Sequence, residues 1–423
     1  MTIAVDHPPL AVPDVARRPS TMPLRLAAIA AGTGLAMLVG YDGSPLWLLA
    51  RVVVVTALTV ALVIAVERVE LRVAGRLAVV AGVPATAVAI GFAPHWVKHG
   101  PLAVQAATAL LAVGALGLVI GGAVAAARGT SRWRRAVAAL LIVLAMGGAA
   151  YLVAIPVAVT NVPRPAIGAD PASVGLVHSD VALRTGDGVQ LAAWYVESTN
   201  GAAVVLLHGA GSTRSNVLDH AAVLAGAGYG VLMIDARGHG DSGGRAMDFG
   251  WHGDADIAAA TAFLARRPDV DPDRIGAVGM SMGGEQAIGA SGGDPLIRAV
   301  VAEGATARTA ADAGWLSDRY GLRGAVQEQI EKVQDLVTDV LTSASVPTAL
   351  RTAIVESGTT RYLLIAAGDV DAELQAAAHM AAGAPARVEV WTIPGVGHTG
   401  GLAAAPDVWA ERVVGFLDDA LGG

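Results

Sequence analysis

The sequence predicts two regions of different fold: an α-helical membrane region of about five spans, then a mostly parallel eight-stranded α/β sheet covered by helices. Three observations predict this. Charge is split unevenly, for residues 1–159 carry 12 Lys and Arg against 5 Asp and Glu, whereas residues 160–423 carry 17 against 31. Long apolar stretches crowd the first region, and short apolar runs alternate with helix-like segments in the second. A change of texture this sharp marks two regions that meet different solvents.

The apolar stretches of the first region, residues 1–159, run over 24–41, 46–66, 77–93, 102–127 and 136–159. Each is close to the roughly 20 residues that cross about 30 Å of hydrocarbon. The first is rich in Gly and Ala, and the third is short and contains Pro84. A cleaved signal peptide would be a single stretch, but four more follow, so the first is expected to be retained. Arg51 and Gln105 are the strongly polar side chains within these stretches. Arg51 lies near a helix end, where a long stem carries its charge to the interface. Paired acids, a broken-helix repeat and a basic ladder are all missing, so the region reads as an anchor in a lipid bilayer rather than a transporter. Residues 160–176, with Pro163, Pro165 and Pro171, form a short, stiff linker.

The second region, 177–423, is long enough for one α/β domain with its own core. Residues 181–184 and 189–196 read as strands joined across Thr185-Gly186-Asp187-Gly188, a hairpin signal. Apolar runs follow at 203–207, 231–235, 275–280, 299–303, 361–366 and 388–393, with helix-like segments such as 217–227 and 256–266 among them. Runs without alternation are strands buried on both faces, which means a parallel sheet under helices. An insertion at about 305–358 places Val326, Ile330, Val333, Val337, Val340 and Leu341 on one helical face, opposite Glu328, Glu331, Asp335 and Asp339. It is either a small helical cap over a substrate pocket or a packed surface helix.

Composition also excludes chemistry. Without cysteine the chain has no disulfide, no thiolate nucleophile and no Cys-ligated zinc. An acidic domain without basic clusters has no electrostatic footprint for nucleic acid. Neither a metal nor a cofactor is expected.

The pattern Gly-x-Ser-x-Gly occurs around Ser242, Ser281 and Ser291, so context must choose. A serine nucleophile needs a sharp turn between a buried strand and a helix, which exposes its hydroxyl and aims the next N–H at the oxyanion. Ser281 follows the run 275–280 and precedes a helix-like segment. Ser291 lies in the small-residue tail of that segment, and Ser242 sits past its strand in what reads as a turn, although Gly240-Asp241-Ser242-Gly243-Gly244 spells a trypsin-like signature. The run 203–207 ends in His208-Gly209-Ala210-Gly211, a turn whose N–H groups are free to point inward; Ala210 and Met282 N–H would form the oxyanion hole. His398 ends the loop Pro394-Gly395-Val396-Gly397-His398 after the last strand, where a parallel sheet gathers its ligands, and is the candidate base. Asp369, Asp371 and Glu373 follow the strand 361–366, and Glu303 ends the one before it; any of these carboxylates could orient the base.

Together these residues resemble the α/β-hydrolase superfamily over about 177–423. The resemblance is carried by His208-Gly209-Ala210-Gly211, Asp235-Ala236-Arg237-Gly238-His239-Gly240-Asp241-Ser242, Gly279-Met280-Ser281-Met282-Gly283-Gly284 and Gly395-Val396-Gly397-His398. It implies an α/β-hydrolase fold and a Ser, acid, His order, met by Ser281, Asp371 and His398, with Asp371 favoured by the family's Gly-x-x-Asp spacing at Gly368. It also implies that 235–242 is a turn. The dienelactone-hydrolase-like and serine-aminopeptidase-like branches are the most similar, so the resemblance implies a serine hydrolase acting through an acyl-enzyme. A carboxylic ester, small or lipid-like, is the leading substrate; a peptidase, an acyltransferase and a non-catalytic binding module are the alternatives.

Arginine-rich short loops stay on the cytoplasmic side. Arg17, Arg18 and Arg25 precede or open the first span, Arg68, Arg72 and Arg76 follow the second, and Arg128, Arg132, Arg134 and Arg135 follow the fourth. The loop 42–45 has no positive charge and the third loop has only Lys98. The expected product is an integral plasma membrane protein with its hydrolase domain outside the cytoplasm.

Overall fold

The computed structural model describes residues 20–39 and 45–422. The chain divides into two compact units, Met1–Ala85 with Leu110–Leu144, and Thr86–Ala109 with Ala145–Gly423. The segment bearing Arg17 and Arg18 and loop residues 42–44 lie outside the described residues.

Five long helices come first among the described residues: α1 (Met22–Val39), α2 (Pro45–Arg68), α3 (Leu71–Phe92), α4 (Leu102–Ala126) and α5 (Arg132–Ala149). Among the described residues these are five stretches long and apolar enough to cross a membrane, the third running on to Val97 and the fifth to Thr160. Pro84 lies inside α3, where it lacks the N–H for one intrahelical bond. After α5 the chain makes a π-turn at Ala150–Ala154 and resumes as helix over Ile155–Thr160. Pro156 accounts for the slip, because it cannot donate to the carbonyl four residues back and its ring crowds that carbonyl. Within the first unit the helices approach closely through small residues. A Cβ on Gly32 would stand 2.1 Å from Thr59 Oγ1, and one on Gly114 would stand 2.2 Å from the Ala31 nitrogen.

The second unit carries an eight-stranded sheet: β1 (Ser179–Arg184), β2 (Gln190–Val196), β3 (Ala203–Leu207), β4 (Gly230–Ile234), β5 (Ile275–Met280), β6 (Ile297–Glu303), β7 (Arg361–Ala367) and β8 (Val388–Ile393). The spatial order is β1-β2-β4-β3-β5-β6-β7-β8. The β1–β2 hairpin is antiparallel and β2 pairs antiparallel with β4; every later pairing is parallel. All eight apolar runs found in the sequence are strands, and the sheet is mostly parallel as expected.

Burial explains why the runs are continuous. Along β3, Ala203, Val205 and Leu207 enter one core and Val204 and Leu206 the other, following the two-residue period of a strand. Helices α6 (Leu218–Gly226), α7 (Gly253–Leu264), α8 (Met282–Ser291), α9 (Leu322–Leu341), α10 (Asp371–Ala381) and α11 (Pro406–Leu421) follow in chain order. Residues of α7, α8 and α10 fill the first core, and those of α6 and α11 fill the second. Each fully buried Val or Leu contributes about 1.5–3 kcal/mol, so two covered faces give the central strands a fixed frame on which to carry a site.

The insertion is helical, and its long helix packs mainly through its polar side. On α9 the buried residues are Gly324, Gln334 and Thr338, while Leu322, Val326, Val333, Leu336 and Val340 are exposed. Gln334 donates to the Tyr151 carbonyl at 2.8 Å and Gln327 meets the Tyr151 hydroxyl at 3.2 Å. These polar contacts hold α9 against the turn after α5; of its apolar stripe, Val326, Val333 and Val340 are exposed and Ile330, Val337 and Leu341 half-buried.

Candidate active site

β5 ends at Met280 and α8 begins at Met282, leaving Ser281 alone on the turn with φ 54° and ψ −125°. Such backbone costs a non-glycine residue about 1–3 kcal/mol and persists only where neighbours hold it. Here the Ser281 N–H donates to the Glu303 carbonyl at 2.7 Å, and the Gly284 N–H donates to the Ser281 carbonyl at 2.8 Å. The flanking glycines are needed for close approach. A Cβ on Gly279 would stand 2.3 Å from the Gly283 carbonyl carbon, and one on Gly283 would stand 2.6 Å from the His208 carbonyl oxygen.

The Ser281 hydroxyl lies 2.8 Å from His398 Nε2. His398 Nδ1 lies 2.6 Å from Glu373 Oε1, so the proton on that nitrogen points at the carboxylate and Nε2 is left as acceptor. Glu373 is 1% exposed, and its other oxygen accepts from the Ala367 N–H at 2.9 Å. The acid against His398 is therefore Glu373, and the expectation of Asp371 is corrected. Asp371 is exposed, accepts from the Tyr320 hydroxyl and Gln375, and has Arg319 at 3.9 Å. The Tyr320 hydrogen bond is the chief reason its carboxyl is held below the usual range. Asp369 is exposed too. Glu303 is buried but points elsewhere, accepting from the Gly401 N–H at 2.7 Å and Trp409 Nε1 at 3.0 Å; burial raises its pKa.

The reason lies in helix geometry. Asp371 and Glu373 are two residues apart on α10, which turns their side chains about 200° from each other. Glu373 shares its face with the buried Ala376, Ala377 and Met380, at the i, i+3, i+4, i+7 spacing. An acid on the apolar stripe of a helix is costly to bury, and that was the signal in the sequence for Glu373.

Neither Ala210 N–H nor Met282 N–H has a hydrogen-bond partner among the described residues. Two buried histidines shape the turn that carries Ala210. His239 Nε2 accepts from the Gly211 N–H at 3.0 Å while its Nδ1 faces the Arg237 carbonyl at 2.8 Å. His208 Nε2 accepts from the Ala236 N–H at 3.0 Å while its Nδ1 faces the Gly209 carbonyl at 2.7 Å. Burial lowers both rings to about 4, so each is a neutral brace with one donor and one acceptor. A cavity of about 310 Å³ opens here, with Gly209, Ala210, Asn216, His220, Ser281 and His398 in its wall. No residue of 305–358 lines it.

The rival serines are tied into structure. Ser242 is 1% exposed, donates to the Asp235 carbonyl at 2.6 Å and accepts from the Ala192 N–H at 2.8 Å. Ser291 is buried between the Ile288 carbonyl and the Tyr362 hydroxyl. The stretch 235–242 is a turn held by Asp235, which accepts from the Arg214 N–H at 2.8 Å and the Asp241 N–H at 2.9 Å.

Residues 204–412 match the family model described as "Alpha/beta hydrolase family". An uncharacterized protein of Mycobacterium tuberculosis is 39% identical over 113 residues, which is 26% of this chain and 40% of that protein. Thiohydrolase aneE of Aspergillus aculeatus is 34% identical over 128 residues, 29% of this chain and 40% of that protein. The chain thus spans about two fifths of the length of the curated relatives it matches. Among solved structures, the esterase Pf2001 of Pyrococcus furiosus aligns with a TM-score of 0.47 at 24% identity, covering 62% of this chain and 98% of that one. A dienelactone hydrolase of Anabaena variabilis aligns with a TM-score of 0.41 at 20% identity, covering 57% and 98%. The sheet order, the turn at Ser281 and the match over residues 204–412 give the second region of this chain the α/β-hydrolase fold.

Proposed function

We propose that the protein is a membrane-anchored serine hydrolase that cleaves carboxylic esters through an acyl-enzyme, with Ser281, His398 and Glu373 as its triad. The observation that carries this is the chain of two hydrogen bonds, Ser281 Oγ to His398 Nε2 at 2.8 Å and His398 Nδ1 to Glu373 at 2.6 Å, on a strained strand-to-helix turn. His398 takes the hydroxyl proton as Ser281 attacks the carbonyl carbon, and Glu373 holds the ring and the positive charge that forms on it. The carbonyl oxygen becomes an anion facing the unpaired N–H groups of Ala210 and Met282. The imidazolium then protonates the departing alcohol, and water, activated by the same ring, releases the acid from Ser281. A cavity of about 310 Å³ suits a compact reacting group. Labelling with a fluorophosphonate, followed by a panel of esters, thioesters and amides, tests this reading. Labelling with ester turnover at least tenfold above amide turnover is the expected result, and absence of labelling with inert esters would sink it.

The membrane part of the proposal rests on the five apolar helices. The exposed part of the apolar stripe of α9 is also suited to a lipid surface. His95 Nε2 lies 2.8 Å from the Asn161 carbonyl oxygen, so the third loop and the end of the fifth helix share one end, as alternating spans require. The arginine-rich loops at 68–76 and 128–135 belong on the cytoplasmic side, which puts the hydrolase domain on the outer face. Protease added to intact spheroplasts is expected to remove the domain beyond residue 160. Full protection that ends only on lysis would reverse the orientation.

A further inference from the structure

The loop between α3 and α4 belongs to the same compact unit as the hydrolase sheet, and it is held firmly. The Lys98 N–H donates to the Pro94 carbonyl at 2.9 Å and the Gly100 N–H to the His95 carbonyl at 2.8 Å. Gln105, the polar residue that stood out among the apolar stretches, donates to the Gly100 carbonyl at 2.6 Å. These bonds fix the loop's own shape, and Lys98 on it lies beside the oxyanion turn. A Cβ on Gly211 would stand 3.2 Å from Lys98 Nζ. One C–C bond and one Cα step of about 3.8 Å then put the ammonium within roughly 9 Å of the Ala210 Cα.

Lysine is scarce in this chain, occurring at Lys98 and Lys332 alone. Lys98 is exposed, and among the described residues its ammonium has no hydrogen-bond or ion-pair partner. No carboxylate lines the cavity, and burial keeps the His220 ring in its wall neutral, lowered to about 4. Glu373 is shielded behind His398. Lys98 does not line that cavity itself, so an anionic group of the substrate would reach past Gly211 to meet its ammonium.

We propose that Lys98 is a substrate-binding residue that receives an anionic group, so that the site favours esters bearing a carboxylate or a phosphate a few bonds from the reacting carbonyl. This rests on the serine-hydrolase reading and names the substrate class of that same site. The loop between two apolar helices thus supplies specificity as well as a connection.

The test uses the full-length protein in detergent and matched pairs of esters. One pair is p-nitrophenyl hemiglutarate against neutral p-nitrophenyl valerate; the other is a butyryl ester of glycerol phosphate against that of glycerol. Lys98→Met is expected to lower kcat/KM about three- to fivefold on a charged member and to leave both neutral esters within about twofold. Lys98→Arg should keep the preference, and rising ionic strength should erode it. A loss confined to the hemiglutarate identifies a carboxylate, and one confined to the glycerol phosphate identifies a phosphate. An equal loss on neutral and charged esters would overturn the proposal, since Lys98 would then act on the loop or on a lipid. An unchanged charge preference would overturn it too. Fluorophosphonate labelling and neutral-ester turnover report the serine-hydrolase reading separately: if both persist while the charge ratio ignores Lys98, only the inference about Lys98 falls.

Discussion

Ser281→Ala is expected to abolish fluorophosphonate labelling and to lower kcat by about a millionfold, because the atom that carries the acyl group is gone while its base and acid are left with nothing to activate. The substitution removes one oxygen from a partly open cavity wall, so the fold should be retained. Ser242→Ala is the informative control. Its hydroxyl links the Asp235 carbonyl to the Ala192 N–H, and its loss should appear as reduced thermal stability with labelling intact. A Ser242→Ala protein that resists the label while Ser281→Ala accepts it would place the nucleophile in the wrong turn.

Glu373→Gln carries the second large effect. An amide in place of the buried carboxylate cannot stabilise the imidazolium, and it lets the ring present a protonated Nε2 to Ser281. A loss of about 10³–10⁴ in kcat is expected, which corresponds to about 4–5.5 kcal/mol of transition-state stabilisation. Asp371→Asn should stay within about twofold, since that side chain is exposed and bonded to Tyr320. Turnover of one ester by both variants at fixed pH decides the matter. If Asp371→Asn proves the more damaging, the hydrogen bond between His398 and Glu373 does not orient the base.

These two outcomes bear on what the residues alone disclosed. The strands were legible because a strand covered on both faces has no room for a polar residue, and β3, β5 and β7 are apolar almost throughout. Ser281 was legible because its hydroxyl needs a strand before it and a helix after it, a context that Ser242 and Ser291 lack. The positions of Ala210 and His398 just past strand ends were legible for the same reason. The acid was harder. Counting from the end of a strand gives distance along the chain, whereas reach to His398 depends on the angle around α10, and two residues turn a helix almost half-way. The orientation of α9 was hidden for another reason. Its apolar stripe suggested a buried face, but Gln334 and Gln327 meet Tyr151, nearly two hundred residues earlier, and no local pattern announces so distant a partner.

The contacts between the late helices of the chain and the residues that precede them have a practical side. Gln334 is 6% exposed with its amide on the Tyr151 carbonyl, His95 reaches Asn161, and a Cβ on Gly91 would strike Val157 at 2.5 Å. A fragment cut at residue 160 for easier handling would strip α9 of its packing partner and orphan a buried amide, at about 1–3 kcal/mol for that group alone. Against a stability of about 5–15 kcal/mol that is a serious loss. The same cut would remove Lys98 from beside the oxyanion turn. Residues 86–109 and 145–160 thus belong to the same folded unit as the sheet, and a truncated version would report on a different molecule.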